Sequence, residues 1–475
     1  MSQETHISEH SNRALGQKLP KIKTAIPGPK SKRLSMRSVT CEPQSITRIS
    51  TDNNPVFWDR AVGANVVDTD GNIYIDCTSA FGVATIGHTS PDIVKAINRQ
   101  SKYILHSMGD IFPNENRIAL AERLVKLVGR NANCQVLFAN SGSECVEIAI
   151  KTSLLYTRKP GIIAFNGGFH GQTIGALNVT GHHDIRDPFL EYLSRHARFM
   201  PFPYPYREGD DERYPTEESC LQRIEREIKN SKSTSSEVGT VILEPIQGCG
   251  GYVIPPDSFI ADLRKICREY DILMVADEEF TGLGRTGKWL AMDHIGVSAD
   301  IVCVGKTLGG GLPISACISS KEIFEAFKSS SFLALHGSTF SGDPLACACA
   351  LATINRIEKK GLLASSTKKG QTILDKLESV KQKHTLIGDV RGRGLIVAIE
   401  LVKNKTTKEP AYKETLSVVN AALCKGVIVL LTRVPFGNVI GLAPPATITE
   451  EQIECVVETL DECMFNVSSQ EYRRS

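Results

Sequence analysis

Residues 272–279, ILMVADEE, and residues 301–313, IVCVGKTLGGGLP, are short apolar runs that lead into charged side chains, Asp277 in the first and Lys306 in the second. Runs of this length, rich in aliphatic residues and bounded by glycine or acid, read as strands buried on both faces. Three more stand at Cys134 to Ala139, Gly161 to Phe165 and Thr240 to Glu244, and all five alternate with helix-length stretches. One such stretch begins at Pro256 and repeats Phe259, Ile260, Leu263, Ile266 and Cys267 on one face. This rhythm predicts an α/β fold with a mostly parallel sheet flanked by helices.

On the N-terminal side, VVDTDGNIYIDC (66–77) alternates around Asp70-Gly71 and predicts a hairpin. On the C-terminal side, a long helical stretch after Pro344 leads to strand-like Leu395 to Val402 and Val427 to Leu431, and a closing helix runs from Thr449. The reading is therefore a large domain over 46–345, whose N-terminal segment joins a smaller C-terminal α/β domain over 346–475. Residues 1–45, basic and without apolar periodicity, are expected to form a flexible tail.

Composition narrows the function. The 475 residues are 41% hydrophobic and 23% charged with a net charge of +2, a balance that suits a large globular protein and gives no electrostatic footprint for nucleic acid. No apolar run approaches the roughly 20 residues of a membrane span, and the N-terminus has no charged head followed by an apolar stretch. A soluble, cytoplasmic protein with no membrane partner is expected. The 14 cysteines are scattered through apolar segments, as buried thiols are in a reducing compartment. Cys347 and Cys349 diverge on a helix, so no metal site is expected.

Three features carry chemistry. In NSGSECVEIAIK (140–151), Ser141, Gly142 and Ser143 lie between a strand and a helix, where backbone N–H groups point at an anion; an ordinary N-cap is the competing reading. Asp277 closes one strand, at the edge where open α/β sheets collect ligands, and a carboxylate there needs a cationic partner. Lys306 leaves a second strand beside three glycines that let a flat ligand lie against the backbone. A nucleotide-binding loop ending at Gly305-Lys306-Thr307 would need glycine at position 300, which is Asp300. An anion cradle, an acid and a lysine at strand ends match pyridoxal 5'-phosphate: phosphate at the helix start, ring nitrogen on the acid, aldehyde on the lysine as a Schiff base.

Seven segments in order, NSGSECVEIAIK, FHGQTIGALNVTG, ILEPIQGCGGY, ADEEFTGLGRTGKW, GKTLGGGLP, HGSTFSGDPLAC and VRGRGLIVAIEL, make the chain resemble the class III pyridoxal-phosphate aminotransferases, the group of the 4-aminobutyrate, ornithine and acetylornithine enzymes. The resemblance implies a fold type I transferase. It gives Gly142 and Ser143 to the phosphate, Phe169 to the ring, Asp277 to the ring nitrogen and Lys306 to the internal aldimine. It gives Thr339 to the phosphate of a neighbouring subunit, and so implies a homodimer with shared active sites. The implied reaction moves an amino group from an amino acid or ω-amino donor to a keto acid, through pyridoxamine phosphate.

The chain also departs from the family's pattern. Gln172 stands where an arginine usually grips a distal carboxylate, so 2-oxoglutarate and 4-aminobutyrate are not implied as substrates. Cys249 replaces the glutamate that neutralises the arginine seen here as Arg391, and Arg391 is then expected to stay free for an α-carboxylate. Glu279 and Phe280 replace a ring-covering valine and a glutamine. The segment IGDVRGRGLIVAIELVKNKTTKEPA (387–411) resembles dialkylglycine decarboxylase, which makes decarboxylation-dependent transamination the alternative reading.

Overall fold

The computed structural model describes residues 15–43, 55–109, 111–128, 133–328, 334–432 and 436–472. At its centre lies a seven-stranded sheet of β4 (Cys134–Ala139), β5 (Gly161–Phe165), β6 (Ala197–Met200), β7 (Val238–Leu243), β8 (Leu273–Asp277), β9 (Ile301–Val304) and β10 (Ser315–Ser320), which follow three N-terminal strands in the chain. The spatial order is β4-β10-β9-β8-β7-β5-β6. Only β10 runs antiparallel to its neighbours, β4 and β9. Strands β4, β5, β7, β8 and β9 therefore all end at one edge.

Alternation along each strand divides the core in two. Met274 and Ala276 of β8 and Val302 and Val304 of β9 pack into one cluster, while Leu273, Val275, Ile301 and Cys303 pack into the other. Both sheet faces are thus covered, as the uninterrupted apolar runs require. Each such fully buried aliphatic side chain stabilises the fold by about 1.5–3 kcal/mol relative to leaving it in water. The helix Gly142–Thr157 packs across β9 and β10, and the helix Asp257–Glu269 buries Phe259, Ile260, Leu263 and Cys267.

The predicted hairpin is β2 (Asn65–Asp68) against β3 (Ile73–Asp76), with Val66 opposite Tyr74, flanked by β1 (Trp58–Val62). The expected strand at 427–431 is divided between two sheets. Its first part, β13 (Val427–Ile428), adds in parallel to β3 and ties the C-terminal chain to the N-terminal sheet. Its second part, β14 (Leu430–Thr432), joins β11 (Ile387–Arg393), β12 (Ile396–Leu401) and β15 (Val439–Leu442) in an antiparallel sheet of order β11-β12-β15-β14. The closing helix is Glu450–Tyr472.

The expectation of a flexible tail over 1–45 does not hold for its described part, 15–43. Residues Pro29–Ser38 form a helix, and Asp70 in the hairpin turn accepts the N–H groups of Lys30 (2.7 Å) and Ser31 (3.0 Å) at its start. Lys21 exchanges backbone hydrogen bonds with Ile73, and Asn72 accepts from Lys23 N at 2.7 Å. The segment is ordered by polar groups of the hairpin satisfying its backbone, and this leaves no trace in apolar periodicity. Among the described residues no helix is long and apolar enough to cross a membrane.

Candidate active site

The shared edge of the sheet gathers the chemistry-bearing residues. After β4, Ser141 caps the helix Gly142–Thr157, its hydroxyl accepting from Glu144 N at 3.2 Å. The cap leaves Gly142 and Ser143 in the first turn, where N–H groups lack intrahelical partners. Gln172 N donates to Ser143 Oγ at 3.3 Å, so the loop after β5 is pinned to this turn. A Cβ on Gly171, whose φ is +124°, would collide with Ser143 Oγ. Here glycine is needed for both conformation and space.

Asp277 ends β8 almost completely buried, at 4% exposure. Its Oδ2 lies 2.8 Å from His170 Nδ1, and its Oδ1 accepts from Glu279 N at 3.1 Å. The His170 ring is buried, with its Nε2 unpartnered among the described residues, and His170 N donates to Thr180 Oγ1 at 3.0 Å. An imidazole held this way fixes the carboxylate's orientation. Phe169, one residue earlier, is half-buried with its ring edge-on to His182 at 5.9 Å. Its N–H donates to Glu244 at 2.8 Å, just past the end of β7. Glu244 also accepts from Gly248 N at 3.0 Å. Burial pushes Glu244 up to about 7, and the charge of Asp277 adds to this against His170 and the two N–H donors.

Lys306 follows β9 with φ of +39°, a conformation that costs a non-glycine residue of order 1–3 kcal/mol and is kept where the surroundings impose it. Its Nζ lies 5.9 Å from the centre of the Phe280 ring. Phe280 in turn packs on Tyr252, with ring centroids 5.4 Å apart. Cys249 is exposed, with Glu244 and Lys306 among its charged neighbours.

Thr339 is exposed in the turn before the helix Pro344–Lys359, beside Ser338, whose hydroxyl accepts from Asn140 Nδ2 at 2.8 Å. Gln172 is exposed as well. The geometry thus brings Gly142, Ser143, Gln172, Phe169, Asp277 and Lys306 to one edge and leaves Thr339 on the chain's surface.

Arg391 departs from expectation, because it is not free. Its Nε donates to Tyr252 O (3.1 Å), Nη1 to Asp389 (2.7 Å) and Glu400 (2.9 Å), and Nη2 to the Tyr204 hydroxyl (2.7 Å) and Gly251 O (2.6 Å). Those five bonds use every N–H of a guanidinium. Glu400 is fully buried and also held by Arg207 Nε at 2.7 Å. Arg391 therefore spends its charge fastening residues 251–252 to β11 and β12, and the expectation that it awaits a substrate carboxylate is corrected.

His170 and Glu244 lay unassigned within FHGQT and ILEPI, and nothing in sequence spacing places them beside Asp277. Three thiols, Cys145, Cys303 and Cys317, also lie buried with sulfurs within 4.8 Å of one another.

The donors fit one kind of group. A helix start with unpaired N–H groups suits a phosphate, a buried carboxylate suits a protonated ring nitrogen, and a strand-end lysine suits an aldehyde.

The comparisons agree with this donor set. The family described as aminotransferase class-III matches residues 47–464. A 4-aminobutyrate aminotransferase of Mycobacterium leprae is 36% identical over 433 residues, 90% of this chain and 94% of the relative. An alanine/serine racemase of Pyrococcus horikoshii is 35% identical over 447 residues, 93% of this chain and 92% of the relative. Among solved structures, an amine transaminase from an uncultivated Pseudomonas species in its PLP-bound form has a TM-score of 0.82 at 29% identity, covering 90% of this chain and 98% of that one. With the strand-end lysine, buried acid and anion cradle in place, the chain belongs to the class III aminotransferases, the pyridoxal-phosphate-dependent enzymes of amino-group transfer.

Proposed function

We propose that the protein transfers an amino group from an amino acid or ω-amino donor to a keto acid, with Lys306 as the cofactor-bearing residue. The observation that carries this reading is the convergence of Ser143, His170, Glu244, Asp277 and Lys306 at the C-terminal ends of five strands of one sheet. When bound, pyridoxal phosphate supplies an aldehyde for the substrate amine and a ring that accepts electrons from the α-carbon.

The chain's own residues do the rest. Gly142 and Ser143 bind the phosphate through the helix start, and Phe169 covers the ring. Asp277, oriented by His170, holds a proton on the ring nitrogen. With the group in place, Lys306 Nζ would be the base that takes up and carries the proton of the substrate's α-carbon.

A homodimer with Thr339 contributed across the interface is supported by the exposed apolar residues near that turn. Tyr103, Leu105, Met108, Ile111, Phe112 and Phe340 are 55–79% exposed, and clustered apolar exposure is a mark of protein–protein contact. The decarboxylative alternative rests on the 387–411 segment, whose Arg391 is committed to the chain's own groups.

Borohydride reduction of the loaded protein followed by peptide mapping tests the assignment, and the label is expected on Lys306. Cofactor absorbance is expected to bleach with an amino donor and to return with pyruvate or 2-oxoglutarate. Bleaching without return, or carbon dioxide release from 2-aminoisobutyrate, would count against transfer as the main reaction.

A further inference from the structure

Glu279 is an acid of this edge that the transfer reaction leaves unused. It is 7% exposed, and its Oε1 has no hydrogen-bond partner among the described residues. A Cβ on Gly142 would lie 2.9 Å from its carboxyl carbon, and a Cβ on Gly305 would collide with its Oε2. The carboxyl group therefore stands between the anion-cradling turn and the residue before Lys306, in space that exists only because both flanking positions are glycine.

The charged groups facing it are Lys306, from the segment after β9, and Asp277, from its own strand end. The helix Gly142–Thr157 approaches the carboxyl group at Gly142. Burial pushes Glu279 up to about 8, with Asp277 adding to the rise and Lys306, through its charge and its backbone N–H, opposing it.

We propose that Glu279 is a cofactor-site acid that takes up a proton from solvent when a phosphorylated cofactor seats on the Gly142 turn, so that cofactor loading is proton-linked. The proposal rests on the reading that puts the phosphate at that turn. A phosphate anion beside a buried carboxylate disfavours the ionised acid, as like charges do when they share a site. Pushed up to about 8 before loading and higher beside a phosphate, the acid ionises more readily in the empty site, so affinity falls as pH rises through that range.

The test uses the full chain, freed of cofactor, with pyridoxamine 5'-phosphate as the probe because it forms no covalent bond to Lys306. Calorimetric titration at pH 8 in buffers of different ionisation enthalpy counts protons. The wild type is expected to take up about half a proton per site more than Glu279→Gln. Between pH 7 and 9 the wild-type Kd is expected to weaken by about tenfold more than that of the variant. Equal proton counts and equal slopes overturn the proposal and leave the lysine assignment standing. Failure of the wild type to bind the probe, or a borohydride label away from Lys306, removes the underlying reading and this proposal with it. Should the glutamine variant not fold, Glu279→Val gives the same comparison, and a wild type that takes up no proton at pH 8 overturns the idea alone.

Discussion

Replacing Arg391 by methionine separates two roles that the sequence alone cannot tell apart. If Arg391 fastens the 251–252 segment to β11 and β12, its removal leaves two backbone carbonyls and the Tyr204 hydroxyl without a donor, and Glu400 with Arg207 as its remaining ion-pair partner. Breaking a buried ionic network from one side costs about 3–5 kcal/mol. At about 2.1 cal/mol/K per residue, a chain of 475 residues has an unfolding entropy near 1 kcal/mol/K, so the expected fall in Tm is about 3–5 °C. Scanning calorimetry on cofactor-free and loaded protein reads this directly. Kinetics supplies the second arm: the ratio of kcat/KM for L-alanine to that for a simple amine without a carboxylate should stay within about threefold, since both donors meet the same displaced segment. An unchanged Tm together with a loss of about 30-fold or more confined to the carboxylate-bearing donor would refute the fastening role and restore Arg391 to the substrate. That loss would correspond to about 2 kcal/mol of selective binding.

Three further outcomes are expected. His170→Phe should retain bound cofactor but lower turnover by about tenfold or more, because Asp277 loses the partner that aims it; stopped-flow bleaching with a fixed donor measures this. Glu244→Gln should lower the Tm at pH 4, because its amide nitrogen must face one of the N–H groups of Phe169 and Gly248 that the two carboxyl oxygens accept, and should gain about 3–4 °C on the wild type between pH 4 and pH 8: an acid whose folded pKa of about 7 exceeds its unfolded value near 4.3 costs nothing below the lower value and destabilises increasingly as pH rises to the upper one. Gln172→Arg should favour 2-oxoglutarate over pyruvate by about tenfold, read as the ratio of kcat/KM for the two acceptors, since it adds a cation at an exposed position beside the Ser143 turn.

Much of the site was legible in the sequence because its parts sit where secondary structure changes. Asp277 and Lys306 terminate apolar runs, and Gly142 and Ser143 open a helix whose buried stripe is plain. Five strands give no signal in the sequence: β1, β6, β10 and β11 read WDRAV, ARFM, SACISS and IGDVRGR, too polar or too small-sided to register as apolar runs, and β15, VIGL, is apolar but only four residues long. Arg391 shows a second limit. A guanidinium in a Gly-rich turn reads the same whether its donors face a substrate or carbonyls of a distant segment, and only the approach of Gly251, Tyr252 and Glu400 decides. The N-terminal segment 15–43 shows a third, since its order comes from Asn65, Asp70 and Asn72 acting on backbone groups roughly 40 residues or more away in the chain.

The family departures beside Lys306 are physically coupled. A Cβ on Gly82, whose φ is +85°, would lie 2.8 Å from the Phe280 ring, so an aromatic at 280 needs glycine there, and one on Gly248 would lie 3.3 Å from it, a tight contact. Tyr252 packs against the same ring, and its own ring lies 2.8 Å from where a Cβ on Gly441 would stand. Phe280, Tyr252 and the three glycines therefore form one wall, in which a side chain added at Gly82 or Gly441 forces one of the rings to move. Lys306 Nζ lies 5.9 Å from the centre of the Phe280 ring of that wall, and low polarity disfavours ionised carboxyls. The two acids near it, Glu244 and Glu279, are both raised with burial as the leading cause. A site walled in this way favours neutral partners for the groups it encloses, and Asp277 keeps a dedicated polar partner in the buried imidazole of His170.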